Sequence, residues 1–280
     1  MSTDPWHSDK NNLAVSNDGF AVLSLNLRFG LADDGSNGWE FRRAIFPQLL
    51  RSYPADFFCF QEANDFQIEF LNDLLKDYKL IGQRHPAPPS WQHNVIYYHK
   101  KWQCRYRDHF YLSPTPDIPS RWEKSKWPRQ CTVGRFDANY REVICINTHF
   151  DFDEDVQVKS ARTILERLTR VPGDTATVLA GDFNAPPLSG GYNVFTKQKS
   201  AGIPFKDCFM KPWAGTYHGF TGQPEDGQID WILYRGRLIP QHARIIRDAI
   251  NGRFPSDHFP LYAEFRWPPE RGEPLRPEAE

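Results

Sequence analysis

Apolar residues along this chain recur with two periods, and the changes between them mark the elements. Phe20 to Leu27 is β-branched or apolar almost throughout, which predicts a buried strand ending at Asn26. From Trp39 to Tyr53, residues Phe41, Ile45 and Leu49 recur every four positions, with Arg42, Arg43 and Arg51 elsewhere. This predicts a helix over 39–53 that Pro54 stops. Ala55 to Phe60 is a second buried strand running into Gln61 and Glu62. Asn64 then caps a predicted helix over 64–76 that carries Phe66, Phe70, Leu71, Leu74 and Leu75.

The pattern then changes. Leu80-Ile81, Val95 to Tyr98 and Trp102 to Tyr111 read as antiparallel strands around the proline-rich loop Arg84 to Gln92. A second long loop, Ser113 to Gln130, holds Trp122, Trp127 and Arg129; such length in a compact domain signals function or disorder. Cys131 to Phe136 and Val143 to His149 predict a hairpin around Asn139. Glu154 to Val171 is the strongest helix, with Ala161, Ile164, Leu165 and Leu168 as its apolar stripe. Thr177 to Ala180 is a buried strand that Gly181 ends. A short helix near Tyr192 to Gln198 and strands at 228–234, 238–246 and 259–265 complete the pattern. The order predicts an α/β fold of two mixed sheets packed face to face with helices outside. Residues 1–19 are expected to be a loose leader, 20–266 the folded domain, and 267–280 a disordered tail rich in proline and alternating charge.

Composition narrows the function classes. Net charge is −1 at pH 7, so no global basic field announces nucleic acid. The polar amino terminus carries no signal-peptide core, and no apolar run approaches the ~20 residues of a membrane span. No membrane or obligate protein partner is expected. Cys59, Cys104, Cys131, Cys145 and Cys208 lack metal-ligand spacing and sit mostly in strand-like runs. They read as reduced core residues, which points to a cytoplasmic location. Arg235, Arg237, Arg244, Arg247 and Arg253 read as solvated strand faces.

Polar residues recur where predicted strands end. Asn26, Gln61-Glu62, Asn147-Thr148-His149 and Asp182 with Asn184 each follow an apolar run. In extended chain, residues i and i+2 share a side, so Asp182 and Asn184 would face one spot. Alone, the same pair suits a turn, Glu62 suits a helix cap, and Asn26 and Asp257 suit turns. Asp230 lies between Ile229 and Trp231 and needs a partner if buried, a histidine being the natural one.

The segments LSLNLR (23–28), FCFQEAN (58–64), INTHFD (146–151), LAGDFNAPP (179–187), QIDWIL (228–233) and SDHFPLYAEF (256–265) together resemble the endonuclease/exonuclease/phosphatase superfamily, in that family's order. The resemblance implies a four-layer α/β sandwich and divalent-metal-dependent cleavage of a phosphate ester, by a phosphodiesterase or nuclease or alternatively a small-molecule or sugar-phosphate phosphomonoesterase. It implies Glu62 as main metal ligand, with Asn26 and Asp257, and oxygen-rich ligation suited to Mg²⁺ or Mn²⁺. Asp182 would orient or deprotonate the attacking water, and Asn184 would hold a phosphate oxygen. His258, oriented by Asp230, would contact the phosphate or take a proton. His149 would stabilise developing charge or protonate the leaving group. Arg129 matches a "PR" segment of some members and would bind phosphate, or be a solvated loop charge. A catalytically silent binding module on the same fold would lack one of these groups, and none is missing.

Overall fold

The computed structural model describes residues 19–197, 202–225 and 227–269. The leader before Gly19 and the tail after Pro269 lie outside them. In chain order the elements are β1 (Gly19–Asn26), α1 (Trp39–Arg42), α2 (Phe46–Ser52), β2 (Phe57–Ala63), α3 (Asp65–Leu74), β3 (Tyr78–Ile81), β4 (His93–His99) and β5 (Gln103–Tyr111). They continue with β6 (Gln130–Ala138), β7 (Arg141–His149), α4 (Glu154–Arg167), β8 (Thr177–Asp182), α5 (Gly190–Lys197), β9 (Lys206–Asp207), β10 (Asp230–Arg235), β11 (Ile239–Ile245) and β12 (Leu261–Arg266). One six-stranded sheet runs β11-β12-β1-β2-β4-β3 and the other β5-β6-β7-β8-β10-β9. Each is mixed: β1 pairs parallel with β2, and β7 parallel with β8, among antiparallel neighbours.

Alternation along the strands builds the layers. In β1, Ala21, Leu23 and Leu25 face a core shared with α1, α2 and α3, while Phe20 and Val22 face the other sheet. In β7, Val143 and Cys145 face that same inter-sheet core, while Ile144 and Ile146 pack beneath α4 and α5. Three stacked cores thus separate four layers: helices, sheet, sheet, helices. Strands buried on both faces read as continuous apolar runs, which is why they stood out in the sequence.

The helix expected over 39–53 is broken. A 3-10 turn, Arg43–Ile45, separates α1 from α2, and Pro47 sits in the first turn of α2 where its missing N–H is harmless. Phe41, expected on the apolar stripe, is exposed, and Arg42 is buried instead. Its guanidinium donates to the carbonyls of Leu27, Asn37 and Pro255, tying the ends of two strands' loops together. Burial lowers its pKa to about 10, which leaves it charged at neutral pH. Arg235 is likewise buried, over the ring of Phe205, rather than solvated. The two-residue strand β9 has no sequence signal. Trp267, expected in the tail, packs against Phe20 in the inter-sheet core.

A polar spine crosses that core near one edge. Asn147 donates to the carbonyls of Phe60 and Val95, both 2.8 Å away on the facing sheet, and accepts from Gln61 Nε2 at 2.7 Å. Gln61 also reaches Ser24. Asn147→Ala leaves these groups unpaired in a dry interface, and the expected loss is about 2–3 kcal/mol of unfolding free energy. Urea titration measures it; a change below about 0.5 kcal/mol, the level of an ordinary surface substitution, contradicts the role assigned to the spine.

Candidate active site

The spine ends where the polar strand ends meet. β8 lies between β7 and β10, and the register sets His149 and Asp230 on either side of Asp182. Three groups expected to act together therefore form one row across three strands. The row requires Gly181: a Cβ there would come within 2.1 Å of the Thr148 carbonyl oxygen. Gly181 was expected to end the strand, but pairing continues through Asp182. Asn184 follows in a turn with φ of 49°, and its N–H donates to Asp182 Oδ1 at 3.0 Å. That turn, not extended chain, brings the Asn184 and Asp182 side chains to one place. Asn184 Nδ2 lies 3.1 Å from His149 Nε2 and donates to the Phe150 carbonyl at 2.9 Å.

The other sheet supplies Asn26 and Glu62. A bulge in β2 between Phe60 and Ala63 re-aims the chain, and Glu62 takes a φ of 58°. A non-glycine residue held there is strained, as residues at functional sites often are. Glu62 Oε2 accepts from the Phe29 N–H at 2.6 Å, and Oε1 accepts from Asn26 Nδ2 at 3.2 Å. Asn26 Nδ2 also donates to Asp182 Oδ2 at 2.9 Å, across the gap between sheets. Asp257 joins through Arg28, whose guanidinium pairs bidentately with Asp34 and stands 3.5 Å from Asp257. Its pairing with Asp34 raises the Arg28 pKa against burial, helped by Asp257 and Glu62.

Asp230 and His258 are side by side, as expected: Asp230 Oδ2 is 2.9 Å from His258 Nδ1. His258 Nε2 then faces Asp182 Oδ2 at 3.8 Å. Burial alone would lower the His258 pKa, but Asp230 and Asp182 hold it well above the ordinary value. His149 is pushed the other way, by burial and by the charges of Arg129 and His258. It is therefore neutral, and its 3.4 Å contact with Asp182 is no ion pair. Asp182 is raised to about 7, chiefly by burial, with His258 opposing and Asp230 adding to the shift. Among the described residues, Asp182, Asp230 and His258 form a group whose ligand atoms all lie within 4.8 Å of one another. Its tightest contact is the internal Asp230–His258 hydrogen bond, so the group reads first as an orienting dyad. Glu62, Asn26 and Asp257 are spread more widely, the last through Arg28.

Arg129 is no solvated loop charge. It is 7% exposed, and Trp127 and Phe152 pack against its guanidinium. It borders a cleft of about 480 Å³ together with His149, Phe29, Trp91 and Trp127. Trp122, from the same loop, does not line this cleft and lies against Lys159. Sequence reasoning passed over Asp151, two residues after His149. Its carboxylate accepts from Ser125 Oγ at 2.8 Å and from the Lys126 N–H at 3.1 Å, and so fixes the 113–130 loop. Arg28 and Asp151 both lie inside the recognised motifs, which was their only signal.

The facing loop is held by Asn64 and His93. Asn64 Nδ2 donates to the Trp91 carbonyl at 2.9 Å. His93 Nδ1 accepts from the Arg84 N–H at 3.2 Å, so Nε2 carries the proton toward Asp65 Oδ1 at 3.1 Å. Burial lowers the His93 pKa to about 4 despite Asp65. The unfolded chain thus binds a proton the folded chain refuses, and stability falls as pH drops from 6.5 towards 4. Urea midpoints across that range should decline less steeply for His93→Gln; an identical slope would remove His93 from the linkage.

The endonuclease/exonuclease/phosphatase family profile matches residues 23–258. No curated protein matches the chain. Among solved structures, an endonuclease/exonuclease/phosphatase family protein from Bacteroides thetaiotaomicron is 26% identical, covering 89% of this chain and 98% of that one, with a TM-score of 0.80. The mannosyl-6-phosphatase Bt3783 of Bacteroides thetaiotaomicron is 27% identical over 88% of this chain and 99% of its own, with a TM-score of 0.78. D. rerio TDP2 with a single-stranded DNA product shares the fold at 16% identity, over 89% and 99% of the two chains, with a TM-score of 0.70.

Proposed function

Because this chain belongs to the endonuclease/exonuclease/phosphatase family, we propose that it hydrolyses a phosphate ester with a divalent cation, Mg²⁺ or Mn²⁺. The observation that carries the reading is the convergence of Asn26, Glu62, His149, Asp182, Asn184, Asp230 and His258 at one edge of the two sheets. Between diester and monoester cleavage, the named activity of the mannosyl-6-phosphatase supports the monoester. The TDP2 likeness supports the fold alone.

The donor set fits a hard cation. Glu62, Asp257 and the Asn26 amide offer oxygen ligands, and hard divalent cations take such ligands. The carboxylates are nearly buried, and Asp182 is driven towards protonation by burial, so the pocket holds more negative charge than it can easily keep. Held by these residues, a divalent cation would supply neutralisation of phosphate charge and Lewis-acid polarisation. The remaining work belongs to side chains. Asp182 orients the attacking water and accepts its proton. Asn184 keeps one amide hydrogen on the Phe150 carbonyl and turns the other from His149 Nε2 to a non-bridging oxygen. Asp230 holds His258 Nδ1, which leaves charged Nε2–H to donate to the phosphate. Neutral His149 donates to the charge that develops on the ester oxygen. Fixed donors of this kind need no reorganisation during the reaction.

Glu62→Gln should abolish Mg²⁺-dependent hydrolysis of p-nitrophenyl phosphate without loss of the circular dichroism spectrum. Full activity of the native protein in EDTA would refute the metal assignment.

His258→Ala should lower kcat at least ~10²-fold, the usual scale for a positioned charge-stabilising group. Asp230→Asn should lower it less, because it misorients the ring without removing it. Steady-state kinetics on folded variants decide this; near-native turnover by His258→Ala would leave Asp182 without its proposed partner.

A further inference from the structure

The three groups expected to hold a cation, Asn26, Glu62 and Asp257, share one support. It is the turn that follows β1, in which Arg28 takes a φ of 60°. Three successive backbone N–H groups of that turn donate to side-chain oxygens. Arg28 N–H reaches Asn26 Oδ1 at 2.8 Å, Phe29 N–H reaches Glu62 Oε2 at 2.6 Å, and Gly30 N–H reaches Asn64 Oδ1 at 2.9 Å. Consecutive N–H groups presented by a turn form a concavity suited to such oxygens. The turn is seated against α3. Gln67 Nε2 donates to the Arg28 carbonyl at 3.2 Å, and a Cβ at Gly30 would come within 2.6 Å of the Phe66 ring.

The Arg28 side chain reaches the third group. Its Nε and Nη2 donate to Asp34 Oδ2 and Oδ1 at 3.0 and 2.8 Å, a fork that closes residues 28–34 into a loop. Nη1 is left 3.5 Å from Asp257 Oδ2, longer than the roughly 2.7–2.9 Å of a charge-assisted hydrogen bond. Ser256 Oγ donates to the other oxygen, Asp257 Oδ1, at 3.0 Å. Asp257 is thus steadied on both oxygens without being fully claimed by Arg28, and it keeps lone pairs for a cation. Without Asp34 the guanidinium is free to present two N–H groups to Asp257 and to occupy those lone pairs. Among the described residues, the Asp34 carboxylate bonds only to Arg28, so its hold on the site runs through that one side chain.

We propose that Asp34 and Arg28 are positioning residues for the divalent-cation site. Asp34 fixes Arg28, and Arg28 orients Asn26 through its N–H and Asp257 through its guanidinium. The inference rests on the divalent-cation reading of the site and adds two residues that hold its ligands rather than the cation. Partners that orient metal ligands commonly carry about 10–100-fold of metal affinity. An ordinary surface ion pair, the competing role for Arg28 and Asp34, would leave that affinity alone.

Calorimetric titration of Mn²⁺ into the EDTA-treated, desalted full chain tests this apart from turnover. Asp34→Ala should raise the Mn²⁺ Kd about tenfold. Asp34→Asn, which keeps one acceptor oxygen for Arg28, should raise it less. In an Arg28→Gln background, Asp34→Ala should change the Kd by less than about twofold, because the route through Arg28 is already cut. An unchanged Kd in folded Asp34→Ala protein overturns the proposal. So does a loss that persists undiminished in Arg28→Gln, since Asp34 would then act through its charge alone. Circular dichroism checks the fold; if Asp34→Ala does not fold, an unchanged Kd in the near-isosteric Asp34→Asn overturns the proposal in its place. Absence of Mn²⁺ binding by the native protein would instead overturn the divalent-cation reading, and the proposal with it.

Discussion

One hydrogen bond joins the two sheets where the chemistry gathers: Asn26 Nδ2 to Asp182 Oδ2, 2.9 Å long. It demands that the ends of β1 and β8 stay in register across the inter-sheet core. That core is otherwise apolar and could slide. The Asn147–Gln61 network stops it from sliding, because its hydrogen bonds between the sheets form in only one register. The aromatic cluster of Phe20, Phe57, Trp102 and Phe136 supplies area, and the polar spine supplies position. The geometry of the proposed active site is thus a property of the whole sandwich, set by strands whose ends cannot move independently.

Negative charge is the second constraint. Glu62, Asp182, Asp230 and Asp257 are gathered within a region that excludes most water. Protein cations answer part of this. Arg28 takes Asp34 and Asp257, and His258 takes Asp230 and faces Asp182. The opposite shifts of the two histidines follow from the same arrangement. His258 lies against two carboxylates and is held protonated; His149 feels Arg129 and His258 and is held neutral. Similar side chains can therefore take unlike roles, with environment and not residue type deciding which.

Sequence reading reached furthest where burial is two-sided. Strands β1, β2, β7 and β8 are apolar on both faces, so their ends, and the polar residues there, were visible as breaks in the pattern. It failed where one residue's environment reversed its usual preference. Arg42 was placed off the apolar stripe, yet it is buried and three carbonyls receive it. Phe41 was assigned to the core by period alone, and a break after one turn rotated it out. The juxtaposition of Asp230 and His258 was legible because a buried carboxylate needs a partner. The role of Asp151 was not, because it acts on a loop far away in sequence whose path no periodicity describes.

The same division separates chemistry from selection. The proposed catalytic groups stand on or just beyond strand ends, and pairing on both sides of β8 fixes Asp182 among them. The cleft beside them is built from two irregular loops that pairing does not fix, and single side chains hold these instead. Asp151 secures one through Ser125 and Lys126, and Asn64 and His93 secure the other. Both anchors arise from the strand-and-helix frame: Asp151 just follows β7, His93 opens β4, and Asn64 caps α3. A loop pinned at one or two points can change its tip without disturbing the frame. The cleft lined by Trp91 and Trp127 can therefore vary in shape while the row of His149, Asp182 and Asp230 keeps its register.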